Sequence, residues 1–453
     1  MKEPKNLIFS STHIIMLSFL SVIILGSLLL SLPISSANRT AVPYLDALFT
    51  ATTATCVTGL VTLPTFSTWS VFGQIVILLL IQIGGLGVIT IMSVLMILLQ
   101  KRMGINHRLL LQDAFNLNSL SGIIQFVKKV VLGSFLVEGI GALLYMFVFI
   151  PEFGLRGIWI SVFTSISAFC NAGIDIIAEN SLCDYSTNPL INLVTCMLII
   201  LGGIGYIVWW DVLHVVKRTS QRNHHIFRRL TLHSKIAITS TIILIVCGAA
   251  LIFCFEYNNP LTIQALPWYD KLQISLFQSV TTRTAGFASI PQENLTDASS
   301  LLCLLLMFIG GSPVGTAGGI KTVTVVVLIM TMIASIQNKN EVDIFNRKIS
   351  KQASSKAVAV TCMSFIIMFT SALLLSMVTN ADILDILYES VSATATVGLT
   401  RNLTPFLNAA GKFIVICTMY LGRVGPLSFA LALNSNKQNN NIIKNPTEEI
   451  SVG

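Results

Sequence analysis

The chain of 453 residues (49.3 kDa) is 54% apolar and only 11% charged, with a mean hydropathy of +0.79. Soluble globular proteins carry about 25% charged residues, so that class is excluded. The net charge of +8 does not indicate a nucleic-acid surface, because 20 of the 28 lysines and arginines sit at the termini or in three clusters between long apolar stretches.

The first apolar run, 13–34, is too long for the core of a signal peptide and lacks a small-residue cleavage site before Asn38, so it reads as a retained spanning helix. Seven further runs are long enough to span a bilayer: 70–100, 127–150, 189–216, 236–255, 299–334, 354–378 and 411–433. The basic clusters contain Lys101, Arg102, Arg108, Lys128 and Lys129, then Lys217, Arg218, Arg222, Arg228, Arg229 and Lys235, then Lys339, Arg347, Lys348, Lys351 and Lys356. By the positive-inside rule these connections, and both termini, belong in the cytoplasm of a multi-pass plasma-membrane protein. With no Pro/Ser-rich linker, residues 1–453 read as one membrane domain. The nine cysteines form no CxxC pair or Cys/His cluster and read as small apolar packing residues.

Within each pair of long runs lies a Ser/Thr/Ala-rich segment too short to cross: Leu45 to Cys56, Ile158 to Cys170, Leu272 to Arg283 and Ile383 to Ala395. Such a segment fits a re-entrant helix buried in protein. Each runs into a polar turn closed by one glycine, TCVTGL, FCNAGI, TRTAGF and TATVGL, at Gly59, Gly173, Gly286 and Gly398. A lone glycine after a helix is usually a C-cap, but these four are separated by 114, 113 and 112 residues, and a constant period signals internal repetition. An aromatic precedes the glycine by ten residues in three copies (Phe49, Phe163, Tyr388) and by nine in the other (Phe277). The predicted fold is therefore all-α and integral to the membrane. It has four fused units of long helix, re-entrant pore helix and long helix around a pseudo-fourfold pore, with eight spanning and four re-entrant helices. The units are 10–105, 106–220, 230–345 and 350–435, followed by a cytoplasmic tail, 436–453.

A dehydrated cation in a membrane needs replacement oxygens, which a ring of backbone carbonyls from several loops provides. Aiming carbonyls at an axis requires an extended segment after the short helix, and glycine permits the positive φ this needs. The candidate loop residues are Val57, Thr58 and Gly59; Asn171, Ala172 and Gly173; Thr284, Ala285 and Gly286; and Thr396, Val397 and Gly398. The last three match the first half of the potassium-channel TVGYG signature without its second half, so K⁺ at these carbonyls is expected to be held with fewer sites and weaker selectivity.

The second long run of each unit carries a glycine cluster: GGLG at 84–87, GGIG at 202–205, GGSP at 310–313 and GRVG at 422–425. Small residues at this spacing also serve simple close packing of helices. The third copy continues as GGSPVGTAGGIKT, whose Gly310, Gly311, Ser312, Pro313, Gly315, Thr316, Gly318 and Gly319 are incompatible with a continuous helix. Non-helical backbone at that depth is tolerated only beside a cavity, so an intramembrane loop below the filter is predicted. In the fourth copy Arg423 occupies the slot of Gly85, Gly203 and Gly311. A cation there raises the barrier to cation passage, unless it is paired with a buried carboxylate such as Glu138. Glu138 itself reads as a proton-linked group or, more simply, a structural partner for a basic residue. Lys321 in GGIKT is not a phosphate loop, because Ile320 breaks the GxxxxGK[ST] spacing, and no catalytic constellation supports an enzyme.

Four pore-type units, single filter glycines, TTRTAGF at 281–287 and the GGSPVGTAGGIKT stretch resemble the Trk/Ktr/HKT superfamily of potassium-translocating subunits, and within it the bacterial KtrB branch, over nearly the whole chain. The resemblance implies potassium uptake through a channel-like pore, gated by the intramembrane loop and Arg423, with Arg283 bracing the filter from behind. It also implies Na⁺ as an activator, a homodimer with one pore per protomer, a contribution from the tail ending in Glu448, Glu449 and Gly453, and a KtrA-like cytoplasmic ring that binds ATP or ADP. Alternatives are a sodium- or proton-coupled carrier with alternating access and a purely structural subunit. The common orientation of all four units favours the channel-like axis over inverted-repeat carriers.

Overall fold

The computed structural model describes residues 11–99, 104–114, 122–178, 180–219, 226–339 and 341–425. The predicted tail, and Lys101, Arg102 and Arg222 of the basic clusters, lie outside the described residues. Among the described residues the regular structure is helical, apart from one short hairpin and two isolated bridges.

The first unit consists of α1 (Ser11–Leu30), α2 (Tyr44–Cys56), α3 (Thr65–Thr68), α4 (Val71–Leu86) and α5 (Val88–Leu98), followed by α6 (Ile105–Ala114). The second consists of α7 (Ile123–Phe153), α8 (Arg156–Cys170), α9 (Pro189–Gly203) and α10 (Tyr206–Thr219), with α11 (Ile226–Arg229) after it. The third is α12 (Leu232–Glu256), α13 (Trp268–Thr281), α14 (Asp297–Phe308) and α15 (Thr322–Ile336). The fourth is α16 (Lys351–Val378), α17 (Ile383–Ala395) and α18 (Ala409–Val424). Strands β1 (Val342–Ile344) and β2 (Arg347–Ile349) join the last two units as an antiparallel hairpin, Val342 opposite Ile349. Its two tip residues, Phe345 and Asn346, both have positive φ, the conformation of a two-residue hairpin turn matched to strand twist. Nothing in the hydropathy pattern signals this hairpin.

The units are built alike. Helices α4, α9, α14 and α18 each start at a side-chain cap, Ser70, Asn188, Thr296 and Asn408, whose oxygen accepts a first-turn N–H. The aromatics at matched positions in the short helices, Phe49, Phe163, Phe277 and Tyr388, are all 0% exposed. The short helices bury nearly every Ser and Thr of their second halves, whereas α1, α7, α12 and α16 turn Leu, Ile and Phe outward, as lipid contact requires.

Two predicted spans are corrected. Runs 70–100 and 189–216 are not continuous: α4 and α5 meet at 95°, and α9 and α10 at 96°. Among the described residues four single helices, α1, α7, α12 and α16, are long and apolar enough to cross, and the count rises to six only where each bent pair is taken as one span. The cause is the last glycine of each cluster. Gly87 (φ +89°, ψ +133°) and Gly425 (φ +96°, ψ +130°) cap α4 and α18, and Gly205 (φ +93°) stands between α9 and α10, all in backbone conformations that side-chain-bearing residues resist. The third cluster has Pro313 at that position, and the chain leaves the helix for 309–321 before α15 resumes. The predicted third short segment also ends early, at Thr281 rather than Arg283. Four cysteines, Cys247, Cys254, Cys362 and Cys417, are exposed on helix surfaces rather than packed inside, and all nine are free thiols.

The first glycine of three clusters has a packing role. A Cβ at Gly84 would lie 2.0 Å from the Thr55 carbonyl oxygen, at Gly202 2.0 Å from that of Phe169, and at Gly422 2.2 Å from that of Thr394. These carbonyls belong to the last turns of α2, α8 and α17, so backbone touches backbone where the second helix passes beneath the short one. Gly202→Ala is expected to cost about 1–3 kcal/mol through overpacking, read as a fall of several degrees in the thermal-unfolding midpoint in detergent. Gly139→Ala, where a Cβ meets nothing within 4 Å, is the neutral control.

Candidate ion pathway

Each short helix ends by driving the next residues out of helical geometry. Val57, Asn171, Thr284 and Thr396, each two residues before its glycine, have φ between +51° and +66°. A β-branched residue in this region is strained, and the same strain at three matched positions, Val57, Thr284 and Thr396, with the αL-tolerant Asn171 at the fourth, shows that the surrounding structure enforces it. Hydroxyls secure the exit: Gly59 N donates to Thr53 Oγ1 (2.9 Å), Ile174 N to Ser167 Oγ (3.1 Å) and Gly398 N to Ser392 Oγ (3.0 Å). The third turn is one residue shorter. Ala285 N bonds to Thr281 O four residues back, where Thr58, Ala172 and Val397 reach five back, and this accounts for the aromatic offset of nine instead of ten.

The four turns meet. A Cβ on Gly59 would lie 2.6 Å from Ala172 O, on Gly173 2.6 Å from Ala285 O, on Gly286 2.5 Å from Val397 O, and on Gly398 2.2 Å from Thr58 O. Each glycine abuts the carbonyl before the next glycine, and the cycle closes. All four glycines also line a cavity of about 290 Å³, together with Asp175, Glu293, Thr400 and Asn402. A second cavity, about 250 Å³, is lined by residues 84–90 and by Tyr206, Val314, Gly315, Lys321 and Arg423. The two share no lining residue.

The 309–321 loop stands between them. Gly310 N donates to Ile320 O (3.0 Å) and Thr322 N to Gly311 O (3.0 Å), closing the loop at its neck, where Ser312 and Thr322 hydroxyls also meet at 2.9 Å. Ser312 N and Thr316 N donate to Gly203 O and Gly202 O of α9, and Tyr206 N donates to Val314 O (2.9 Å). Pro313 O and Gly315 crowd the bend at Gly205, and Gly319, at φ +65°, packs on Gly310. Toward the ring, Thr316 Oγ1 donates to Phe169 O (3.1 Å) and Gly318 N to Thr284 Oγ1 (3.0 Å). A Cβ on Gly318 would strike Thr396 Oγ1 at 1.9 Å. The loop is therefore seated directly against the αL residues of the second, third and fourth turns.

Arg423 closes the arrangement from the fourth unit. Nη1 donates to Thr316 O at 2.7 Å and Nη2 to Gly84 O. Pairing with Glu138 does not occur: among the described residues no ion pair includes either side chain. Glu138 instead accepts two bonds from Gln82 Nε2 (3.1 and 3.2 Å), so the basic partner expected for it is replaced by an amide. Arg283 is buried behind its turn, where its carbonyl accepts from Asn171 Nδ2 (3.5 Å) and its side chain faces α9 and Gly311.

Three contributors escape sequence reasoning. Lys321 Nζ donates to Ala317 O (2.6 Å) and Gly318 O (3.4 Å), covering loop carbonyls on the cavity side; a lysine inside an apolar run is the signal that could have flagged it. Glu389, fully buried in α17, accepts from Thr400 Oγ1 (2.7 Å) and Thr404 Oγ1 (2.6 Å), tying down the segment beyond Gly398. Lys412 and Asp46 pair at 2.5 Å between the fourth and first units.

The family model for a cation transport protein, TrkH, matches residues 9–443. The chain is 40% identical over 446 residues to the Ktr system potassium uptake protein B of Bacillus subtilis, covering 98% of this chain and 97% of that one. It is 37% identical to the potassium/sodium uptake protein NtpJ of Enterococcus hirae, covering 100% and 99% of the two chains. The crystal structure of the potassium transporter TrkH from Vibrio parahaemolyticus superposes with a TM-score of 0.77 over 95% of this chain and 86% of that one, at 15% identity, which establishes a common fold. The bent helix pairs and the strained turns are thus features of a membrane transport protein and not of an enzyme, and the chain belongs to the TrkH family of cation transport proteins.

Proposed function

We propose that this protein takes up potassium through the axis defined by Gly59, Gly173, Gly286 and Gly398. The single observation that carries the reading is the closed cycle in which each glycine abuts the carbonyl of Thr58, Ala172, Ala285 or Val397 of the next turn. Main-chain oxygens brought together in this way substitute for the hydration shell of an alkali cation. The names of the relatives, which are potassium uptake proteins, support K⁺ as the transported ion.

The 309–321 loop and Arg423 act as the gate. The loop's contacts with Asn171, Thr284 and Thr396 support this, as do the two carbonyls that the guanidinium occupies. Arg423 adds a fixed positive charge beside the inner cavity, and opening requires both the loop and the arginine to shift. Arg283 braces the ring from outside the pathway. The basic connections face the cytoplasm, and so do both termini. The resemblance to Ktr subunits supports a homodimer, stimulation by Na⁺, and control by a cytoplasmic ring that binds ATP or ADP.

Radiolabelled potassium uptake by a potassium-uptake-deficient bacterial host tests the reading. Saturable uptake above the empty-vector control is expected; no uptake by membrane-inserted protein, with or without a co-expressed nucleotide-binding regulator, refutes it.

The outer cavity adds a pH signature. Burial pushes the Asp175 carboxyl in its wall up to about 6. Above that pH the carboxylate is ionised and attracts cations to the ring; as external pH falls through about 6 the charge is lost and uptake declines. Asp175→Asn should flatten this limb of the pH profile at the lower rate.

A further inference from the structure

A groove that the transport pathway does not use runs between the start of α7 and the outer face of α10. It measures about 570 Å³, and its walls include Phe126, Ile207, Trp210 and Leu213. Lys129, His214 and Lys217 line it too. Lys129 is exposed, and its ammonium is held 5.5 Å from the centre of the Trp210 ring. The one carboxylate in the lining, Asp211, is held at the groove's edge by Thr231, which also lines it: Oδ2 accepts from Thr231 N (2.9 Å) and Oγ1 (2.8 Å), leaving Lys129 and Lys217 in excess over it. Because α10 turns 96° away from the apolar helix α9, it runs along the membrane surface when α9 crosses it, at the level where tryptophan and lysine are favoured.

We infer that this groove binds an anionic phospholipid of the cytoplasmic leaflet, with an acyl chain along Phe126, Ile207 and Leu213 and the phosphate at Lys129 and Lys217. An apolar trough rimmed by cations has the complementarity of a charged headgroup on a hydrocarbon tail, and basic pockets between helices on this side of a membrane recognise such headgroups. The site also bears on the loop at 309–321. Tyr206, the first residue of α10, donates its N–H to Val314 O (2.9 Å), and Trp209 Nε1 staples the bend to Leu201 O (3.0 Å). Seating a lipid on α10 therefore fixes the helix from which the loop hangs. The binding claim is independent of the proposed transport function; its effect on flux rests on that reading.

Native mass spectrometry of the full-length protein, offered equal phosphatidylglycerol and phosphatidylcholine of the same chain length, tests the site. Phosphatidylglycerol should be retained about thirtyfold over phosphatidylcholine, the attraction of two lysines for an anionic headgroup. Lys129→Gln with Lys217→Gln should bring the two lipids to parity while the protein keeps its elution profile and thermal midpoint. Leu213→Trp, which fills the trough and leaves the cations, should remove both. Equal retention by the wild type, or a preference unchanged in the double variant, overturns the proposal. So does disulfide dimerisation of Leu213→Cys in vesicles beyond that of the wild type, whose exposed Cys247, Cys254, Cys362 and Cys417 set the baseline; it assigns the groove to a second copy of the chain.

Discussion

Arg423→Ala is expected to raise potassium flux by roughly 10²-fold in vesicles lacking any regulator. The guanidinium bonds to Thr316 O of the loop and Gly84 O of α4, beside the inner cavity. A unit charge about 5 Å from a passing cation, at an effective dielectric near 20, contributes a barrier of about 3 kcal/mol, which is about two decades in rate. Removing it also frees two carbonyls to face the ion. Deletion within 312–319 should act in the same direction, because the loop bonds to Gly202, Gly203, Phe169 and Thr284 are lost together. Arg423→Lys retains the charge but not the two-carbonyl geometry and should fall between. Flux unchanged in Arg423→Ala and in the deletion would remove the gate from the mechanism.

Gly398→Ser is expected to lower the K⁺/Na⁺ flux ratio by about tenfold, equivalent to about 1.4 kcal/mol of lost discrimination. The added Cβ would sit 2.2 Å from Thr58 O and 2.8 Å from Gly59 Cα. These are backbone atoms of the neighbouring turn and cannot rotate away, so the ring must open. Residue 398 also has φ +97°, which strains any residue with a side chain. A widened ring no longer matches the larger ion, and sodium competes. Parallel ⁸⁶Rb⁺ and ²²Na⁺ uptake measures the ratio; a wild-type ratio in correctly inserted Gly398→Ser excludes this ring as the filter. The analogous change at Gly173, whose Cβ would lie 2.7 Å from Gly286 Cα, should give the same loss, since the four positions are linked in one cycle.

Hydropathy, charge placement and the glycine period identified the helices, the short segments and the four turns, because each is encoded locally. Lipid imposes apolar length, water imposes charge at the ends, and a turn at positive φ selects glycine at Gly59, Gly173, Gly286 and Gly398. The run GGSPVGTAGGIKT announced the broken third span because no helix accommodates that composition. The bends at Gly87 and Gly205 were present in the letters of GGLG and GGIG, yet those letters serve equally for close packing, and Gly84 and Gly202 do serve it. Only the spatial arrangement separates the two uses within one cluster.

Tertiary structure alone decided where the buried polar groups find partners. Arg423 bonds to backbone carbonyls 107 and 339 residues away, and Glu138 to an amide 56 residues away. The physical reason is that a polar group excluded from water takes whichever donor or acceptor the packing brings within reach. Such partners are contributed by different units and have no fixed spacing along the chain. The repeat is legible in one dimension; the closed ring, and the loop set beneath it, exist only in three.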